Sequence, residues 1–160
     1  MKILVKVPLS PYSGYGLDGI GMTQSLIQAG VQVYLQPAHV SPPLPREVAQ
    51  LLTRRLEAPF GLAIHHTDPG QLGLSPETRR AAKLCVAWTM WEYSTLDNLN
   101  NKRTLRKRLK DYDLVLGYDS VTAEALRPYL SPGTELAVVQ GGYWPELWPA
   151  VARDWHGERF

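Results

Sequence analysis

The stretch Ser10-Pro11-Tyr12-Ser13-Gly14-Tyr15-Gly16-Leu17-Asp18-Gly19-Ile20-Gly21 follows an apolar run at residues 3–7 and precedes a helix-like run at 22–29. Strand, glycine-rich loop and helix in that order aim backbone N–H groups and a helix N-terminus at an anion, usually a phosphate. Four glycines in eight residues allow positive φ and a close approach to a ligand without Cβ clashes. The competing reading is a surface loop of ordinary turn residues.

Working outward, apolar β-rich runs recur at 31–35, 60–64, 84–88, 114–116 and 136–139. Helical patterns fall between them at 46–56, from Ser75-Pro76-Glu77 onward, and at 121–130, where Ser120 is read as the cap. Apolar strands alternating with helices of about ten residues predict a parallel sheet covered on both faces. The expected fold is a doubly wound α/β domain, Rossmann-like, over residues 1–142, with 143–160 as a connector.

A chain of 160 residues with 44% hydrophobic and 20% charged content fits one ordinary soluble domain. A net charge of +2 gives no reason to expect nucleic acid as a partner. The single cysteine, Cys85, rules out an internal disulfide and fits a reducing, cytoplasmic compartment. Lys6 interrupts the first apolar run, so no leader peptide is read there, and no window approaches the roughly 18 apolar residues of a membrane span.

Ligands of such sheets bind beyond the carboxyl ends of the strands, so the residues after each strand carry the candidate chemistry. Gly14-x-Gly16-x-x-Gly19 matches a dinucleotide fingerprint in spacing. However, residues 8–13 separate it from the strand, and the second β-run ends at Gln36 without an acidic residue for the ribose. His65 and His66 suit a sugar hydroxyl or a phosphate. A metal would need a third ligand such as Asp68 or Glu92, and no metal site is expected. Glu92 lies between Trp91 and Tyr93, where apolar neighbours raise a carboxyl pKa toward proton transfer, with a capping or solvent-facing carboxylate as the alternative. The run at 102–110 carries six positive charges, a solvated helix face or a surface for an anionic acceptor or membrane.

The order of these features resembles the N-terminal half of GT-B glycosyltransferases, in particular the retaining family 4 type, as found in actinobacteria and their tailed phages. The resemblance rests on Ser13-Gly14-Tyr15-Gly16 through Gly21, Ala29-Gly30-Val31-Gln32-Val33 and Ala63-Ile64-His65-His66. It continues through Thr89-Met90-Trp91-Glu92-Tyr93, the run Tyr112 to Ser120, and Leu136 to Glu146. It implies transfer of a sugar from a nucleotide-sugar co-substrate to an acceptor hydroxyl, with no tightly bound cofactor. Ser13, Gly14, Tyr15, Gly16 and Gly19 would hold the donor diphosphate, and Glu92, His65 and His66 would be catalytic. Asp68, Trp91, Tyr93, Tyr118, Asp119, Gly141 and Gly142 would line the acceptor cleft. The family's donor-binding second domain is expected beyond this chain, whose acceptor class (glycan, lipid or protein) stays open. Without that domain the tryptophan-rich stretch after Gly142 is expected to pair with a second copy. Two other classes also fit the sequence, a standalone nucleotide-binding or regulatory module and a non-catalytic interaction domain.

Overall fold

The computed structural model describes residues 1–90, 96 and 102–139. The expectations for Trp91, Glu92, Tyr93, Gly141, Gly142 and the connector 143–160 lie outside the described residues. In chain order the elements are β1 (Lys2–Lys6), β2 (Pro8–Leu9), α1 (Gly14–Gln28), β3 (Gln32–Leu35), β4 (His39–Val40), α2 (Arg46–Leu51) and β5 (Phe60–His66). They continue with α3 (Pro76–Ala81), β6 (Ala82–Thr89), α4 (Lys102–Leu109), β7 (Leu114–Gly117), α5 (Ser120–Leu126) and β8 (Glu135–Val138).

Six strands form one fully parallel sheet in the order β3-β1-β5-β6-β7-β8, the α/β architecture expected and one compatible with a Rossmann-like fold. The small β2–β4 pair prolongs the β1–β3 ladder: Ala38 N–H donates to the Val7 carbonyl and Ser41 N–H to that of Leu9.

Strand periodicity divides the core into two clusters. Leu4, Ala63, Cys85, Ala87 and Val115 pack with Leu105 and Leu109 of α4 and with Ala125 and Leu126 of α5. Ile3, Val5, Val33 and Leu35 pack on the other face with Ile20 and Met22 of α1 and with Val48 and Leu51 of α2. Ala81 of α3 joins the first cluster, so the three later helices share one face.

The glycine-rich stretch differs from its expected form. Helix α1 begins at Gly14, eight residues earlier than the hydrophobic pattern at Met22 indicates, and Gly16 and Gly19 are helical. Among the described residues positive φ occurs only at Gly30, Gly73 and Gly133. The glycines serve close packing instead. A Cβ at Gly16 would fall within 3.0 Å of the Ser10 backbone, and one at Gly19 would strike the Pro8 carbonyl and lie 3.2 Å from Val7 Cβ. Three other boundaries move. α2 stops at Leu51, β5 runs on through both histidines, and Asp119 rather than Ser120 caps α5, accepting from Thr122 N–H at 2.6 Å.

Gly16→Val is expected to destabilise the fold by about 1–3 kcal/mol, the usual cost of forcing methyl groups against packed neighbours. Denaturant unfolding checks this: the midpoint falls for Gly16→Val and holds for Gly14→Ala, whose added Cβ has nothing within 4 Å.

Candidate functional site

The close approach of α1 brings Tyr15 and Asp18 over the carboxyl ends of β5 and β6. The His66 side chain is fully buried there, and its Nδ1–H donates to the Trp88 carbonyl at 3.0 Å. That bond assigns the proton to Nδ1 and leaves Nε2 as a lone-pair acceptor. Nε2 has no hydrogen-bond partner, and it lies 3.8 Å from Asp18 Oδ2. Burial lowers the His66 pKa to about 4 against the raising effect of its backbone bond, and burial also raises that of Asp18. The imidazole is therefore neutral at neutral pH, and the contact is not an ion pair. Two acceptors face each other, and what satisfies both is two donated hydrogens, such as those of a pair of neighbouring hydroxyls.

Aromatic rings frame this pair. Tyr15 and Trp88 have centroids 5.3 and 4.9 Å from the His66 ring, and Tyr118 stacks on Trp88 at 6.4 Å with planes 13° apart. The Tyr15 hydroxyl donates to the Met90 carbonyl, tying α1 to the end of β6. Thr89 donates its hydroxyl to the Thr67 carbonyl, and Tyr118 N–H donates to the Thr89 carbonyl, which fixes three strand ends side by side. Burial, then the nearby Asp18 and Asp119 carboxylates, raise the Tyr118 pKa and keep its hydroxyl protonated.

His65 does not join this site, because successive strand residues point to opposite faces. Its Nδ1 accepts from the Tyr112 hydroxyl at 2.7 Å, while the same oxygen accepts from Gly73 N–H at 3.0 Å. Lys6 Nζ donates to the Gly73 carbonyl and Arg108 to that of Gly70, so this network fastens residues 70–73 to the sheet. Burial, with the charge of Lys6, lowers the His65 pKa to about 3.

The remaining expected residues have local roles. Ser13 caps α1 by accepting from Gly16 N–H at 3.1 Å, and Gly14 opens the helix. Asp68 accepts from Gly70 N–H at the turn Pro69–Gln71, and Asp119 caps α5. Among the described residues no three His, Cys, Asp or Glu side chains gather as metal ligands, and no helix is long and apolar enough to cross a membrane. Asp18 carries no signal in the sequence that marks it as a site residue, because its place on α1 depends on the helix reaching back to Gly14. Comparison with family models, curated proteins and solved structures finds no match for this chain.

Both buried histidines predict acid sensitivity. Between their folded values of about 3 and 4 and the ordinary 6.5, the unfolded chain binds protons that the native state refuses. Their contribution is complete above about pH 6.5 and is lost as pH falls, by roughly 1.4 kcal/mol per unit for each histidine. Asp18 acts in the opposite sense, one group against two. Denaturant midpoints measured from pH 7 to 4.5 should fall steeply, and His66→Gln should flatten that dependence.

Proposed function

We propose that this domain forms the acceptor side of a nucleotide-sugar-dependent glycosyltransferase. The observation that carries the reading is the pair of facing acceptors, His66 Nε2 and the Asp18 carboxylate, at the carboxyl edge of the sheet. One hydroxyl of the acceptor donates to the Asp18 carboxylate and loses its proton there, while a neighbouring hydroxyl donates to His66 Nε2 and holds the acceptor in place. Burial raises the affinity of Asp18 for a proton, which suits a group that receives the proton as the new glycosidic bond forms. Tyr15, Trp88 and Tyr118 offer ring faces of the kind that pack against the C–H faces of a sugar.

On this reading the donor diphosphate lies near the start of α1. That end carries no acidic residue in its first turn, so the positive pole of the helix has no built-in counter-charge. Ser13 and Gly14 then meet the phosphate, while Gly16 and Gly19 act indirectly by seating the helix. Glu92 follows β6 by three residues and is a second candidate for proton transfer. Donor base and sugar would be held by a second domain, and closure of the two would exclude water from the transfer. A nucleotide-sugar donor implies a cytoplasmic enzyme. The acceptor edge favours this reading over a nucleotide-binding module, since two of the glycines expected to cradle phosphate, Gly16 and Gly19, are occupied in helix packing.

In a protein that includes the donor-binding domain, Asp18→Asn and His66→Gln should each lower turnover by about 10²–10⁴-fold, the range of a proton-transfer group. KM for the nucleotide-sugar should change little. The assay is release of nucleoside diphosphate across a panel of sugar donors and hydroxyl-bearing acceptors. Turnover per folded molecule equal to wild type in both variants would remove the pair from the chemistry.

A further inference from the structure

His66 Nε2 and Asp18 Oδ2 lie 3.8 Å apart, and that distance restricts what can satisfy both. Both are acceptors, so each needs a donated hydrogen of its own. A single donor atom about 2.8 Å from each would see them at an angle of about 85°, well short of tetrahedral. To serve both in line, it would need acceptors about 4.6 Å apart. Water and an ammonium group are donors of this one-atom kind. Two oxygens about 2.9 Å apart fit better, because each reaches its own acceptor along nearly parallel bonds, splayed by about 10°. That is the separation of neighbouring hydroxyls held gauche about a carbon–carbon bond.

We propose that the group held here is a gauche vicinal diol on a pyranose ring, one hydroxyl donating to Asp18 and its neighbour to His66 Nε2. The proposal rests on the acceptor reading above and narrows the acceptor to a sugar ring, free or carried on a larger molecule. A serine, threonine or tyrosine side chain brings one hydroxyl hydrogen, so it leaves one of the two acceptors without a donor. An open-chain glycol must give up rotation about its carbon–carbon bond to take the gauche form. A pyranose chair holds most neighbouring hydroxyl pairs that way in advance.

The surroundings suit a ring. Tyr15 and Trp88 flank His66, and Tyr118 stacks on Trp88, so flat apolar faces stand beside the two acceptors. The His66 side chain is fully buried while that of Asp18 stays 16% exposed, so the pair opens to solvent at the carboxylate.

The test titrates the full chain with the methyl pyranosides of glucose, mannose and galactose and follows the His66 imidazole nitrogens by NMR. At least one glycoside should shift the Nε2 resonance. Its 3-deoxy analogue keeps the other hydroxyls but has no adjacent pair, and should bind about tenfold or more weakly, the cost of an unpaired buried acceptor. Asp18→Leu, of similar shape and helix-favouring, leaves a single acceptor, so that preference should shrink to about twofold or less. Far-UV dichroism and cooperative melting establish that this variant is folded. Equal affinity for a glycoside and its 3-deoxy analogue would overturn the proposal. So would an undiminished preference in Asp18→Leu, tighter binding of cyclohexylammonium than of every glycoside, or no shift at His66 with any of them. Because the readout is binding, absence of sugar transfer in a protein with the donor domain would sink the acceptor reading and leave the diol site standing. Transfer to a serine hydroxyl as efficient as to a pyranose would do the reverse.

Discussion

The contact on which the candidate site depends is the one between α1 and the backbone after β1. Gly16 and Gly19 let the helix settle on Ser10, Pro8 and Val7 with no room for a side chain. From that seat Tyr15 reaches the Met90 carbonyl and Asp18 comes to 3.8 Å from His66. A side chain at either glycine would push the helix, and the Asp18 carboxylate with it, away from His66. Gly16 and Gly19 thus set the distances within the candidate site, and their value lies in what they bring near.

Two adjacent histidines of one strand do unlike work because the strand alternates its faces. His66 stands at the α1 face with an open acceptor nitrogen, and its tautomer is fixed by a backbone carbonyl. His65 stands on the opposite face and holds Tyr112, which holds Gly73 in turn. Burial keeps both rings neutral, since it strips a charged imidazole of most of its solvation. The neutral state is what allows His65 to accept from a tyrosine hydroxyl and leaves His66 Nε2 an open acceptor. Lys6 reinforces this from the neighbouring strand, as its charge opposes a proton on His65.

The division of the helices between the two faces follows from the strand order of the sheet. After β3 at one edge, every further strand is added on the same side of β1, and the connecting helices collect on one face. The other face keeps α1 and α2, with Leu62, Ile64, Leu116 and Trp88 packed in the same cluster. The polar pair and that apolar cluster are neighbours there, sharing Trp88. An apolar flank beside two acceptors strengthens whatever hydrogen bonds they make.

The six strands and their parallel arrangement were legible in the sequence. They follow from local signals: β-branched runs such as 31–35, turn residues, and spacing that leaves no room for hairpins. The start of α1 was not legible, because glycine has weak helix propensity and only packing against Ser10 and Pro8 makes it the one residue that fits. Nor were the splitting of His65 from His66 by one residue of strand extension and the entry of Asp18 into the site, 48 residues away in the chain. Local pattern determined which segments became strands and helices. Tertiary packing alone decided which polar atoms were buried together, because desolvation and ångström-scale distances arise only once α1 has docked on the sheet.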